Sequence, residues 1–190
     1  MERRPATIEE ARALANPLRL RILRLCLDRA LTNKELAVRL ERDPGTILHH
    51  VRMLADTGFL RAEASRPGPR GSVERPYRAT GKSWTLTVGE EEDTTGTLAS
   101  VDAFRDELSE LRVEDIRGFA RLAVRLSPEA VEHFTTRLGA LIEELAGSDD
   151  PDGEPYGFLF AGHRRRDEAP AALVRRKGRA RRADANGEGR

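Results

Sequence analysis

Cysteine, histidine and aromatic residues are scarce in this chain of 190 residues, and each scarcity removes a class of function. The single cysteine, Cys26, excludes an internal disulfide and any cysteine-cluster metal site. No apolar run approaches the ~20 residues needed to span a bilayer. The first residues, Met1–Pro5, lead into an amphipathic stretch and lack the apolar centre of a secretory signal. A soluble, cytoplasmic protein with no membrane partner is expected. A glycine-rich phosphate loop, a nucleophile elbow and a His-Glu metal helix are all missing, so no enzyme activity is expected. Apolar residues make up 38% of the chain and charged ones 34%, which permits only a modest core.

What is present is charge, unevenly distributed. The formal net charge of +1 hides three blocks of different sign. Residues 1–88 hold 17 basic against 10 acidic side chains, residues 89–157 hold 6 against 18, and residues 158–190 hold 10 against 4. A basic block is the electrostatic footprint of a polyanion partner, and the acidic block would be repelled by one. Nucleic-acid contact is therefore expected from the first half.

The first half also carries a run of helix start signals. Thr7 can cap a short helix reaching Ala15, with Glu9 and Glu10 in its first turn where the helix dipole favours acid. Asn16-Pro17 reads as the cap and first residue of a second helix, apolar at Leu18, Ile22, Leu25 and Leu27, with Arg19, Arg21 and Arg24 directed elsewhere. Thr32 and Glu35 form a capping box for a third helix to Leu40. Asp43-Pro44 opens a fourth that runs to about Thr57, with Gly58 placed for a left-handed stop. Phe59–Ala64 and Val73–Ala79 read as paired strands around a basic Pro-Gly tip, Arg66–Ser72.

Beyond a linker-like stretch at residues 89–96, Leu98–Leu111 has helical period, Phe119–Leu126 alternates like a half-buried strand, and Ser127 caps a helix to about Ala146. Tyr156–Ala161 reads as a last strand, and residues 164–190 have the composition of a disordered tail. The fold class expected is mainly α with small β: a winged helix-turn-helix domain over residues 6–88, a small α/β C-terminal appendage over 97–162 for dimerisation or an effector, and a disordered basic tail over 163–190.

In that arrangement the helix opening at Asp43 is the recognition helix. Ile47, Val51 and Leu54 fall on one side, and Gly45, Thr46, His49, Arg52 and Asp56 on the other. Gly45 and Thr46 would let the backbone approach a phosphate, helped by the helix-terminal amides. Three segments, Leu14–Leu23, Lys34–Ala37 and His49–Leu60, together resemble the ArsR-type winged-helix transcriptional regulators, over roughly residues 6–85.

The resemblance implies a cytoplasmic homodimer that binds double-stranded DNA at a near-palindromic operator. It further implies a repressor that lets go when an effector, such as a small molecule, binds. It puts Thr46, His49, His50 and Arg52 at base edges or phosphates, and the wing residues Arg66, Arg70 and Arg75 at the adjacent minor groove or backbone. Thr32, Asn33 and Lys34 are expected to touch backbone phosphate at the start of their helix. The family's metal sensors carry paired cysteines in the third helix. Here the matching positions are Ala37 and Arg39, and only His133 lies on the C-terminal helix, so no metal or other cofactor is expected. Two alternatives stay open: a winged-helix module that binds protein instead of DNA, and a ligand pocket among Phe104, Phe119, Leu122, Phe134 and Leu138. Cys26 is expected in the core, and Trp84 packed at the junction of the two parts.

Overall fold

The computed structural model describes residues 4–87, 95–150 and 152–165. Strand β1 (Arg4–Pro5) precedes helices α1 (Ile8–Leu14) and α2 (Pro17–Asp28). Strand β2 (Leu31–Thr32) leads into α3 (Asn33–Arg39), and α4 (Pro44–Asp56) follows. Strands β3 (Leu60–Ala62), β4 (Arg66–Pro67), β5 (Val73–Glu74), β6 (Pro76–Ala79) and β7 (Leu86–Thr87) complete the β structure, and helices α5 (Thr95–Ser109) and α6 (Pro128–Gly147) come last. This is a mainly helical chain with a small sheet, a winged helix in its first half.

The helix starts follow from local chemistry. Thr7 and Thr32 each close a capping box, accepting from the Glu10 and Glu35 amides at 3.2 Å while those carboxylates reach back to the cap amides. Asn16, Asp43 and Ser127 cap helices whose next residue is proline, where a missing amide costs nothing. Gly58 stops α4 with φ of 76°, the left-handed turn that glycine adopts without strain. The turn between α3 and α4 places Glu41 at φ 51°, the one non-glycine residue of positive φ among those described.

Strand β6 sits between β2 and β3, antiparallel to both, with Tyr77 opposite Leu31 on one side and Ala62 on the other. Pro76 begins that strand, the place where proline interferes least with a ladder. Strands β4 and β5 form the wing, with Arg66 opposite Glu74, and β1 pairs in parallel with β7. Under the sheet lies one continuous core. Ile22, Cys26, Leu36, Ile47, Val51, Leu54 and Phe59 are all fully buried there. Burial pushes the Cys26 thiol up to about 12, so it is an inert apolar residue at neutral pH.

Two buried polar hubs tie the first helices together. Glu10 accepts from Arg4 at 2.7 and 2.8 Å and from the Thr7 amide at 2.8 Å, and pairs with Lys82 at 2.7 Å. These partners, Arg4 foremost, hold its carboxyl far below the usual carboxylate range. Lys82 also donates to the Thr57 carbonyl at 2.6 Å and lies over the Phe59 ring, so α1 and the end of α4 share one cation. Arg19 is buried, donating to the Ala13 and Arg12 carbonyls at 2.5 and 2.6 Å and closing the C-terminus of α1. It therefore points into the helical core, whereas Arg21 and Arg24 face α5.

Helix α5 packs on α2 and α1 with Ala99 and Ala103 buried, and charge ties it to α2: Arg21 pairs with Glu110, and Arg24 with Glu107 at 3.9 Å. The basic and acidic blocks of the sequence meet along this seam. The expected strands at 119–126 and 156–161 do not form; both stretches lack regular structure, so the described part of the C-terminal region is helical rather than α/β. A lone alternating segment has no ladder partner, and a strand exists only through one. Residues 156–165 belong to a second unit, in which the Tyr156, Phe158 and Phe160 rings stack in sequence. No helix among the described residues is long and apolar enough to cross a membrane.

Candidate nucleic-acid interface

Helix α4 is anchored by one face and open on the other. Ile47, Val51 and Leu54 are buried, whereas Gly45, Thr46, His49, Arg52 and Asp56 are exposed. The first turn is already occupied: Asp43 Oδ2 accepts from the Gly45 amide at 2.9 Å and the Thr46 amide at 3.1 Å. Those amides thus serve the cap instead of standing free for a phosphate. A Cβ at Gly45 would lie 2.9 Å from Asp43 Oδ2, so glycine there keeps the cap tight.

His50 stands apart from His49. It is half-buried, its ring 5.4 Å from the His49 ring in an edge arrangement, and its Nδ1 has no hydrogen-bond partner among the described residues. Burial, then the nearby charges of Arg19 and His49, lower its pKa, so it is neutral at physiological pH. A neutral, partly enclosed imidazole suits packing better than phosphate contact.

Between α3 and the wing runs a groove of about 660 Å³, lined by Asn33, Lys34, Leu48, Glu74, Arg75 and Tyr77 among others. Asn33 donates to the Pro44 carbonyl at 3.0 Å, bracing the start of α4, while its Oδ1 is buried without a partner among the described residues. Lys34 and Arg75 are exposed at the rim. Thr32 is buried and its hydroxyl is committed to the capping box, which separates it from its exposed neighbours.

The wing cations differ in a way the sequence does not announce. Arg66 is held by the protein itself, donating to Glu35 at 2.6 Å and facing Glu74 at 3.5 Å. It locks the wing onto α3. Glu35, whose carboxyl is held low first by the Thr32 amide and also by Arg66, is thus both a cap and a wing anchor. The Arg70 side chain lies outside the described residues. Arg75 has no such clamp among the described residues and is exposed in the one-residue link between β5 and β6.

Two further expectations meet a different outcome. Phe119 is 85% exposed and Leu122 81%, with Phe134 also exposed, so these do not enclose a ligand pocket with Phe104 and Leu138. Trp84 is 47% exposed and leaves much of its ring in solvent. Sequence reasoning missed Glu10 and Arg19 as structural hubs, and, for Glu35, the tie to Arg66 that goes beyond its cap. The Thr7-to-Glu10 spacing was a visible signal for the first, being the same capping box as at Thr32.

A family model described as a helix-turn-helix domain matches residues 14–63. Reduced HlyU from Vibrio cholerae is a similar solved structure, 21% identical, covering 47% of this chain and 77% of its own, with a TM-score of 0.31. The adhesin competence repressor AdcR from Streptococcus pyogenes is 15% identical, covering 68% of this chain and 81% of its own, with a TM-score of 0.30. No curated relative matches the chain.

Proposed function

We propose that this chain is a DNA-binding transcription regulator whose α4 enters the major groove. The observation that carries the reading is the division of α4: Thr46, His49 and Arg52 stand exposed on one side while Ile47, Val51 and Leu54 fix the other in the core. A helix so anchored can present side chains to base edges without giving up its packing. The helix-turn-helix match over residues 14–63 and the basic charge of the first half support it. Lys34 and Arg75, at the rim of the groove beside the wing, serve the phosphate backbone, as does Arg70 at the wing tip. Arg66 acts by positioning the wing.

On this reading the protein binds as a homodimer to a near-palindromic operator, two α4 helices meeting successive major grooves about one turn apart. It represses as an ArsR-type regulator does and is released by a small-molecule effector. It works in the cytoplasm and without a metal.

A gel shift with the region upstream of its own gene tests the reading. Binding is expected at low salt and should weaken steeply as salt rises. His49→Ala and Arg52→Ala should each cost about 1–3 kcal/mol on the preferred site and little on random DNA. Arg75→Ala should weaken binding to all sequences alike and reduce the salt slope by about one. No shift at low salt, for the full chain or one lacking the basic tail, overturns the DNA reading and leaves a protein-binding winged helix.

A further inference from the structure

We propose that α6 is the seam along which two copies of this chain pair, antiparallel to one another. This deepens the homodimer of the proposed function by naming its surface and geometry. The helix is 20 residues long, about 30 Å, and has no buried residue. Its apolar side chains repeat with alternating steps of three and four: Val131, Phe134, Leu138, Leu141 and Leu145. That is the a/d spacing of a coiled coil. Phe134 and Leu141 are exposed by 58% and 55%, so the stripe is finished on its own helix and uncovered by the rest of the described chain.

A helix in this condition needs a partner. In proteins most helical stability comes from packing an amphipathic face rather than from propensity. Helix α6 also contains Gly139, Thr135 and Thr136, all poor helix formers at interior positions. A covered apolar stripe would offset what these residues cost the helix.

The flanking charges select the partner and its direction. In the a/d frame, Arg137 and Glu144 occupy successive g positions, and Thr135 and Ile142 the e positions. Set a second copy antiparallel, with Leu138 against the partner's Leu141. Phe134 then meets the partner's Leu145, and Arg137 lies beside the partner's Glu144. Two-fold symmetry makes each of these contacts twice, so the surface complements itself. A parallel pair instead places Arg137 beside Ile142 of the other copy and leaves Glu144 without a partner, because α6 ends at Gly147, before the position that would face it. Among the described residues Arg137 and Glu144 have no ion-pair partner within the chain, so both are free to make the antiparallel contact.

Sedimentation of the full chain without DNA, across a dilution series, tests this. The wild type should dimerise. Glu144→Arg should weaken the dimer about tenfold, since two attractions become two repulsions, and adding Arg137→Glu should restore it. Leu138→Ala with Leu141→Ala should weaken it about a hundredfold or more, with circular dichroism showing the winged helix intact. A monomer at every concentration overturns both the seam and the dimer. A dimer indifferent to all these substitutions overturns the seam and leaves the dimer standing. A dimer strengthened by Glu144→Arg overturns the antiparallel arrangement. DNA binding, read separately by gel shift, does not enter any of these outcomes.

Discussion

Helices α4 and α6 begin alike, each with a side-chain cap followed by proline and each with an apolar stripe, yet they end in opposite circumstances. The stripe of α4 is wholly buried, whereas that of α6 is turned to solvent. The difference lies outside the two helices. Around α4, helices α2 and α3 and strand β3 converge, so its Ile47, Val51 and Leu54 find neighbours close in the chain. Around α6 the flanking segments carry apolar residues but no regular structure to set them in register. Amphipathicity says that a face must be covered. It does not say whether the cover comes from the same chain.

The sharpest way to break that contrast is to truncate one residue from each stripe. Leu54→Ala should cost about 2–5 kcal/mol of unfolding free energy in urea, through lost burial and the cavity left behind. Leu141→Ala, measured at high dilution, should leave that transition within about 0.5 kcal/mol of wild type. Equal losses would mean that α6 belongs to the core of its own chain.

Next in size is the Glu10 hub. Glu10→Gln should cost about 2–3 kcal/mol at neutral pH, because Arg4 and Lys82 would keep their positions beside a group that no longer carries charge. Its folded carboxyl is held below its unfolded value. The stabilisation is therefore complete above the ordinary carboxylate range and is lost as pH falls through the folded value. Urea midpoints for wild type and Glu10→Gln should converge in acid and separate towards neutrality.

The smallest effect, and of opposite sign in pH, belongs to the α2–α5 seam. Burial raises the Glu107 carboxyl above its usual range, more than Arg24 and Arg21 lower it. A group shifted upward contributes stability that is present below its unfolded pKa and lost as pH rises through the folded one. Hydrogen-exchange protection of α5 should thus decline as pH climbs out of the carboxylate range. Glu107→Gln should flatten that decline while changing stability by under about 1 kcal/mol.

These contrasts also mark what could be read from residues alone. The four helices of the first half, their caps and the wing followed from local chemistry: a threonine, asparagine or aspartate before the helix, a proline at its start, a glycine at its stop. The exposed positions of Thr46, His49 and Arg52 followed from helical period against three buried aliphatics. The two C-terminal strands did not form because the alternation of Leu122, Val124 and Leu126 is a local pattern, while a strand depends on a partner elsewhere. Arg19 and Arg66 were equally out of reach. Period places an arginine on a polar face, but whether it meets water, a carbonyl or Glu35 depends on segments far away in sequence.

Cys26 carries a practical consequence. Because the only native thiol is sealed under the sheet and protonated at neutral pH, a cysteine introduced on the surface would be the sole reactive sulfur in the molecule. A fluorophore or nitroxide could then be placed on the wing or on α6 without first making a cysteine-free background.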